Sequence, residues 1–357
     1  MNATSLDTTA TTAMGTWLLV ALACGLDRLV GDPRRWLHPV QVMGWVITGL
    51  RSPAEAWAGD RPAALRLGGG LITLLLVGGS AAAGLAVEHL AFALPPLGLP
   101  LLLIGLASAL AGHSLEQAVE SVLAGLSDGD LKQARERLGW IVGRDVDGLT
   151  ESAILRAAAE TAAENAVDGL FGPLFWMLVG AGIWASLGVA DGAPGPLSLA
   201  WAFKAASTLD SMLGYRRSRL RWLGTAGARL DDLLTWFPAR LVAFTLPAAA
   251  GRLWQGLELG REALRLGRAD PSPNAGVSMA AFALAGRVQL GGVNHYGGVA
   301  RAKPILGEGY PAADPAAVAR ILKLSSRLEG LWLVLSLPML LGLSQVRGLA
   351  GWAGGSQ

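Results

Sequence analysis

The chain has 357 residues, 52% of them hydrophobic and only 16% charged, with a mean hydropathy of +0.44. A soluble domain carries about 25% charged residues, so this chain lacks the polar surface to cover itself in water. The composition excludes a disordered chain and a disulfide scaffold, and it points to an integral membrane protein. A net charge of +2 excludes nucleic-acid binding driven by a large basic field, and the single Cys24 excludes an intramolecular disulfide or a cysteine metal cluster.

In chain order, residues 1–13 carry no Lys or Arg, so they lack the basic start of a cleaved signal peptide; they read as a disordered tail lying outside. Residues 14–346 then read as a single membrane-embedded catalytic domain, and 347–357 as a C-terminal tail. The first apolar run, 14–30, ends with Asp27 and Arg28, is nearly long enough to span a bilayer and reads as a retained anchor. The run 68–94 is the clearest span, with Glu88 and His89 late in it. Pro95 and Pro96 break it, and 97–112 reads as a short return span. A further run at 170–190 contains Pro173, the run 237–250 reads as re-entrant or buried against protein, and 331–346 contains Pro338. Arginines concentrate in 31–66, 113–169, 203–236 and 251–330, which places these stretches in the cytoplasm and leaves 191–200 outward. Between the spans, 114–141 and 150–167 carry apolar residues at helical spacing, the first broken and capped at Asp128-Gly129-Asp130. No strand-like alternation of useful length is visible. The fold class expected is all-α: a polytopic membrane protein with about four to six transmembrane or re-entrant helices and amphipathic cytoplasmic helices.

Four constellations carry possible chemistry. Asp32, Arg34 and His38 lie in a Pro-constrained loop directly after the first span, where a carboxylate, a guanidinium and an imidazole could line a polar pocket; a plain basic anchor with two turns is the bland alternative. Arg144 lies in Gly143-Arg144-Asp145-Val146-Asp147-Gly148, ahead of a helix carrying Glu160, Glu164, Asn165 and Asp168. The three acids are spaced i, i+4, i+8 and share one face while the helix persists, an arrangement of repelling charges that suits hard-oxygen binding of Mg²⁺ or a solvated acidic surface. Lys204, Thr208 and Ser211 share another helical face beside Asp210 and Arg216. The chain has only four lysines (Lys132, Lys204, Lys303, Lys323), so a lysine here suggests that a compact point charge is wanted. Arg229, Asp231, Asp232 and Arg240 follow, as a charged network or an ion-pair scaffold. Last come Asn274 in Ser272-Pro273-Asn274-Ala275-Gly276, and Asn294, His295 and Tyr296 between paired glycines, a flexible loop whose N–H groups could cradle phosphate. No Gly-x-x-x-x-Gly-Lys-Ser/Thr string is present, which excludes a P-loop.

Seven strings, in this order, resemble the CbiB/CobD family of cobalamin biosynthesis proteins, the adenosylcobinamide-phosphate synthases: LDRLVGDPRRWLHPVQVMG (26–44), IVGRDVDGL (141–149), AAENAVDGLFGPLF (162–175), KAASTLDSMLGYR (204–216), ARLDDLLTWFPARL (228–241), SPNAG (272–276) and LGGVNHYGG (290–298). Departures from the family pattern fall at Ser207 and Thr235, where Asn is expected, and at Val277-Ser278, where Trp-Pro is commoner. The resemblance implies an inner-membrane enzyme with its site on the cytoplasmic side, joining adenosylcobyric acid to (R)-1-amino-2-propanol or its O-phosphate as an amide, with ATP and Mg²⁺. For activation of the carboxylate by phosphoryl transfer followed by attack of the amine, the expected roles are Glu160, Glu164, Asp168 and Asp231 or Asp232 as metal ligands, Lys204, Arg216 and Arg240 as phosphate partners, and Asp210 or His295 as the acceptor of the amine proton. Implied partners are the bilayer, the corrinoid and aminopropanol substrates and other membrane-associated enzymes of the pathway, with no nucleic acid. A transporter for a polar solute and a non-catalytic membrane scaffold are the rival classes; dependence of amide formation on ATP separates them from a ligase.

Overall fold

The computed structural model describes residues 3–32, 37–188, 192–215 and 217–354; Arg34 and Arg216, both singled out above, lie outside them. The chain runs through α1 (Ala3–Val30), α2 (Pro39–Ala58), α3 (Pro62–Ala93), α4 (Pro95–Ala107), α5 (Gly112–Ser127), α6 (Leu131–Gly139) and α7 (Glu151–Ala166). A π-helical turn, Val167–Phe171, leads into α8 (Gly172–Leu187), followed by α9 (Pro196–Leu213), α10 (Leu220–Leu223) and α11 (Thr225–Ala249). The remainder is a 3₁₀ turn at Leu253–Gln255, α12 (Gly256–Gly267), α13 (Ala275–Gly286), the strands β1 (Leu290–Tyr296) and β2 (Val299–Leu306), and α14 (Pro315–Gly354). Proline opens α2, α3, α4, α9 and α14, where its missing N–H is one that the first turn leaves unpaired anyway.

Helices dominate, and four stretches are long and apolar enough to cross a bilayer: Ala10–Val30, Pro62–Ala93, Glu151–Leu187 and Pro315–Val346. Pro95–Ala107 with Gly112–Ser127, bent by 40°, would make a fifth if the pair counts as one span. The protein is therefore a polytopic, helical membrane protein, as its composition predicts. The run 237–250 falls within α11, which is not among these spans. Two boundaries differ from the sequence expectation. Helix α1 begins at Ala3, within the stretch expected to be a disordered tail, because no Gly or Pro interrupts residues 3–14. Helix α14 likewise continues to Gly354, through most of the expected C-terminal tail.

The chain resolves into two compact units. The first comprises Met1–Ala111, Gly172–Leu234 and Trp332–Gln357. Its core gathers Ile47, Leu65, Ile72, Leu76, Leu209, Leu213 and Leu223 from α2, α3, α9 and α10. Glycine lets α3 approach its neighbours: a Cβ at Gly69 would lie 1.8 Å from the carbonyl oxygen of Leu223, and one at Gly84 would lie 2.7 Å from Cα of Ser198. Small residues at such crossings are how apolar helices pack without a hydrophobic driving force between them. Glu88, buried near the end of α3, accepts the N–H groups of Gly195 (3.0 Å), Leu197 (2.7 Å) and Ser198 (3.0 Å). It thus satisfies the otherwise unpaired first turn of α9, which explains an acid inside an apolar run.

The second unit comprises Gly112–Phe171 and Thr235–Leu331. As the sequence suggests, Asp130 caps α6 by accepting the Gln133 N–H at 2.9 Å, and Thr150 caps α7 through the Ala153 N–H at 3.3 Å. Helix α13, apolar all round, is buried along its whole length and packs on α7 and α12. Its contact with α12 is backbone on backbone: a Cβ at Gly276 would stand 2.4 Å from the carbonyl oxygen of Gly267. Residues 290–306 correct the sequence expectation of a flexible loop. They form an antiparallel hairpin in which Tyr296 pairs Val299 across Gly297-Gly298, both at positive φ (58° and 78°). Paired glycines of this kind fit the two-residue turns that match strand twist. The alternation was invisible because Gly291 and Gly292 supply no side chains and the register shifts between Leu290 and Gly292.

Candidate functional site

In the second unit, the buried Glu160 organises the hairpin. Its carboxylate meets Arg144 at 2.6 Å and accepts the Gly291 N–H at 2.8 Å, with Arg156 at 3.8 Å. Arg144 also donates to Oδ1 of Asn294 (2.8 Å), and Arg156 donates to the carbonyls of Gly291 and Val293 (both 3.0 Å). Glycine at 292 leaves room for this guanidinium, since a Cβ there would lie 2.8 Å from the Arg156 Nη1. Next to Arg144, Asp145 accepts the N–H groups of Gly297 (2.9 Å) and Gly298 (2.7 Å), while its own N–H donates to the His295 carbonyl at 2.8 Å. The N–H bonds from Gly298 and then Gly297 hold the Asp145 carboxyl below its ordinary range. The Gly-rich segment therefore spends the N–H groups of Gly291, Gly297 and Gly298 on carboxylates of its own unit, and they do not form the phosphate cradle anticipated from the glycines. Tyr296 packs its ring against Arg301, at 5.7 Å.

The expected metal face does not form. Glu160 is bound by arginine and a backbone N–H, while Glu164 faces Lys303 at 4.0 Å. Asp168 lies in the π turn, which breaks the i+4 periodicity on which the shared face depended. Among the described residues no group of three His, Cys, Asp or Glu side chains is placed to hold a metal ion. The three acids thus do not fit a divalent cation as a set. Asn165 donates to the Thr161 hydroxyl at 3.1 Å, which in turn donates to the Ile141 carbonyl at 2.9 Å. Ser278, one of the departures from the family pattern, donates to the Ala163 carbonyl at 2.6 Å.

A pocket of about 650 Å³ opens in the same unit, walled by Trp236, Phe237 and Phe244 with Arg240, Arg268 and Asp270 at its polar edge. Arg240 lies 4.7 Å over the Trp236 ring and donates to Oδ1 of Asn274 and to the Pro273 carbonyl (3.0 Å). Asp270 accepts the Ser272 N–H at 3.0 Å and meets Lys303 at 3.3 Å. Burial alone would pull the Lys303 ammonium down, but Glu164 and Asp270 outweigh it and raise its value, so the lysine stays charged. An aromatic wall with cations at one edge and a fixed carboxylate beside them can receive an amphipathic, anionic molecule.

The first unit holds the remaining candidates. Thr208 turns its hydroxyl back to the Lys204 carbonyl at 2.7 Å, so it is not presented to a ligand with Lys204. Burial first, and then the Asp232 carboxylate, push Asp210 up, which places the end of α9 beside the start of α11. Asp231 accompanies Asp232 half-buried, whereas Ser211 and Arg229 are exposed. His38 lies 3.1 Å from Asp32 and caps α2 by accepting the Val40 N–H at 3.3 Å. Sequence reasoning missed Arg156, Arg268, Asp270 and Lys303, which sit in no recognised string. The scarcity of lysine that drew attention to Lys204 applies equally to Lys303.

A family model described as CobD/Cbib protein matches residues 20–325. The chain belongs to the CobD/CbiB family. Among its curated relatives, the cobalamin biosynthesis protein CobD of Synechocystis sp. is 42% identical over 89% of this chain and 90% of its own length. The cobalamin biosynthesis protein CbiB of Salmonella typhi is 36% identical over 95% of this chain and all of its own length. The CobD protein of Yersinia enterocolitica is 39% identical, covering 83% of this chain and 87% of its own. No solved structure matches the chain.

Proposed function

We propose that this protein is the adenosylcobinamide-phosphate synthase of cobalamin biosynthesis, an ATP-dependent ligase that joins adenosylcobyric acid to (R)-1-amino-2-propanol or its O-phosphate. Membership of the CobD/CbiB family across residues 20–325 carries the reading. The pocket walled by Trp236, Phe237 and Phe244 adds support, because a large corrinoid with anionic groups needs both an apolar wall and cations. In this reading Arg240, oriented by Asn274 and stacked on Trp236, counters negative charge on the bound substrates. Asp270, steadied by Lys303, presents a carboxylate to the ammonium of the incoming amine. ATP would supply the driving force. The set Glu160, Glu164 and Asp168 does not fit Mg²⁺, so a divalent ion would arrive with the nucleotide and not on those acids. The inner membrane, with the site facing the cytoplasm, is the location that the Arg-rich segments favour.

The test uses the purified chain in detergent with adenosylcobyric acid, either amine, ATP and Mg²⁺, read by mass spectrometry for the amide. ATP-dependent product is expected, and Arg240→Met and Asp270→Asn should each lower turnover by roughly 10²-fold or more while the chain stays folded. No product with either amine, from a chain that binds the corrinoid, would overturn the ligase reading in favour of a scaffold.

A further inference from the structure

At the start of α3, where a membrane span begins, the first unit has a pocket of about 540 Å³ lined by Arg51, Arg217, Arg219 and Trp222, while Arg66 and Arg221 stand outside that lining, against the Trp222 ring. Two of the cations are neutralised: Arg219 by Asp60 at 2.7 Å, and Arg51 by Glu55 at 2.7 Å. Arg61 spends its donors on the carbonyls of Ala58 (3.1 Å) and Trp57 (2.7 Å) at the end of α2. Arg66 and Arg221 differ. Both are exposed, both stack on the single indole of Trp222 (4.4 and 4.8 Å to its centre), and no carboxylate among the described residues lies in ion-pair range of either. The ring does not neutralise two guanidinium groups, and an anion that reaches both from the solvent side would offset their charge. Further along α3, on the face next to that of Arg66, the residues Leu67, Leu71, Leu74 and Leu75 are all exposed, forming an apolar track in a helix suited to the bilayer.

We propose that Arg66, Arg221 and Trp222 bind the phosphate of an anionic phospholipid, whose acyl chain lies along the exposed leucines of α3. The leucine track is what favours a lipid over a free phosphate, since a soluble anion would make no use of it. Trp at the headgroup level and arginine reaching to phosphate are the usual chemistry of a membrane interface. Occupancy would fix the depth of α3 and the angle at which α10 meets it, without entering the proposed chemistry.

The test is native mass spectrometry of the full chain released from micelles containing either phosphatidylglycerol or phosphatidylcholine. Selective retention of phosphatidylglycerol is expected, weakened roughly fivefold for each of Arg66→Gln and Arg221→Gln, with excess inorganic phosphate failing to displace it. Equal retention of the two lipids, or unchanged retention in the double variant, would overturn the proposal. Displacement by inorganic phosphate would overturn it as well, assigning a soluble-phosphate site in its place. Should the Arg66 variant fold poorly, Arg221→Gln alone and the wild-type comparison still decide.

Discussion

With its side chain only 1% accessible, Glu160 has its charge compensated, among the described residues, by Arg144, Arg156 and one backbone N–H. Replacing it with Gln strands two arginines, one of them nearly as buried, and breaking a buried pair this way costs about 3–5 kcal/mol. Denaturant unfolding of Glu160→Gln should show that loss, and a double variant that also replaces Arg144 with Met should recover part of it. A metal ligand would behave otherwise, since its loss would be mimicked by chelation. Asp145 gives a complementary reading through pH. Its carboxyl is held below the ordinary value of 3.8 by the Gly298 and Gly297 N–H groups. The stability it contributes is therefore complete above that ordinary value and is lost as pH falls through the lower, folded one. Protection of the Gly297 and Gly298 amides relative to their intrinsic exchange rate should fall on acidification through that window, and Asp145→Asn should abolish the step.

Individual elements differ in how plainly the sequence announces them. The spans around 14–30 and 68–94 were legible because an apolar run is a property of neighbouring residues and needs no knowledge of the fold. The same holds for the caps at Asp130 and Thr150, where one side chain acts three residues away. The hairpin was not legible, because its strands are recognised by what they meet: Arg156 and Glu160, well over a hundred residues distant, bond the Gly291 backbone, and Arg156 takes the space that Gly292 leaves. For the same reason the string SPNAG suggested ligand chemistry, when Gly276 is demanded by the backbone of Gly267 and Asn274 accepts from Arg240. Gly276→Ala should accordingly destabilise the protein by about 1–3 kcal/mol, read as a lowered thermal midpoint with substrate binding otherwise retained. Gly291→Ala adds a Cβ 1.9 Å from the Pro304 carbonyl oxygen and should loosen the hairpin selectively, exposing it to protease.

For the molecule as a whole, the sequence reads as one domain over 14–346, whereas the fold divides into two compact units. Two of the four boundaries between them, Leu234/Thr235 and Leu331/Trp332, fall inside α11 and α14, so no linker marks them in the sequence. Glu88, a charge within an apolar helix, bonds residues 107 to 110 positions later in the chain. Glu88→Ala orphans three N–H groups in an apolar setting and is expected to lower the yield of folded protein more than its activity per folded molecule, measured by size exclusion beside turnover.

That reach has a consequence for synthesis. At about 5–20 residues per second, α3 leaves the ribosome roughly 5–20 s before the Gly195–Ser198 turn exists to receive its carboxylate. For that interval the nascent helix must enter the bilayer with an unmatched acid near its trailing end, and the wait makes α3 dependent on whatever holds it at the insertion machinery until α9 arrives.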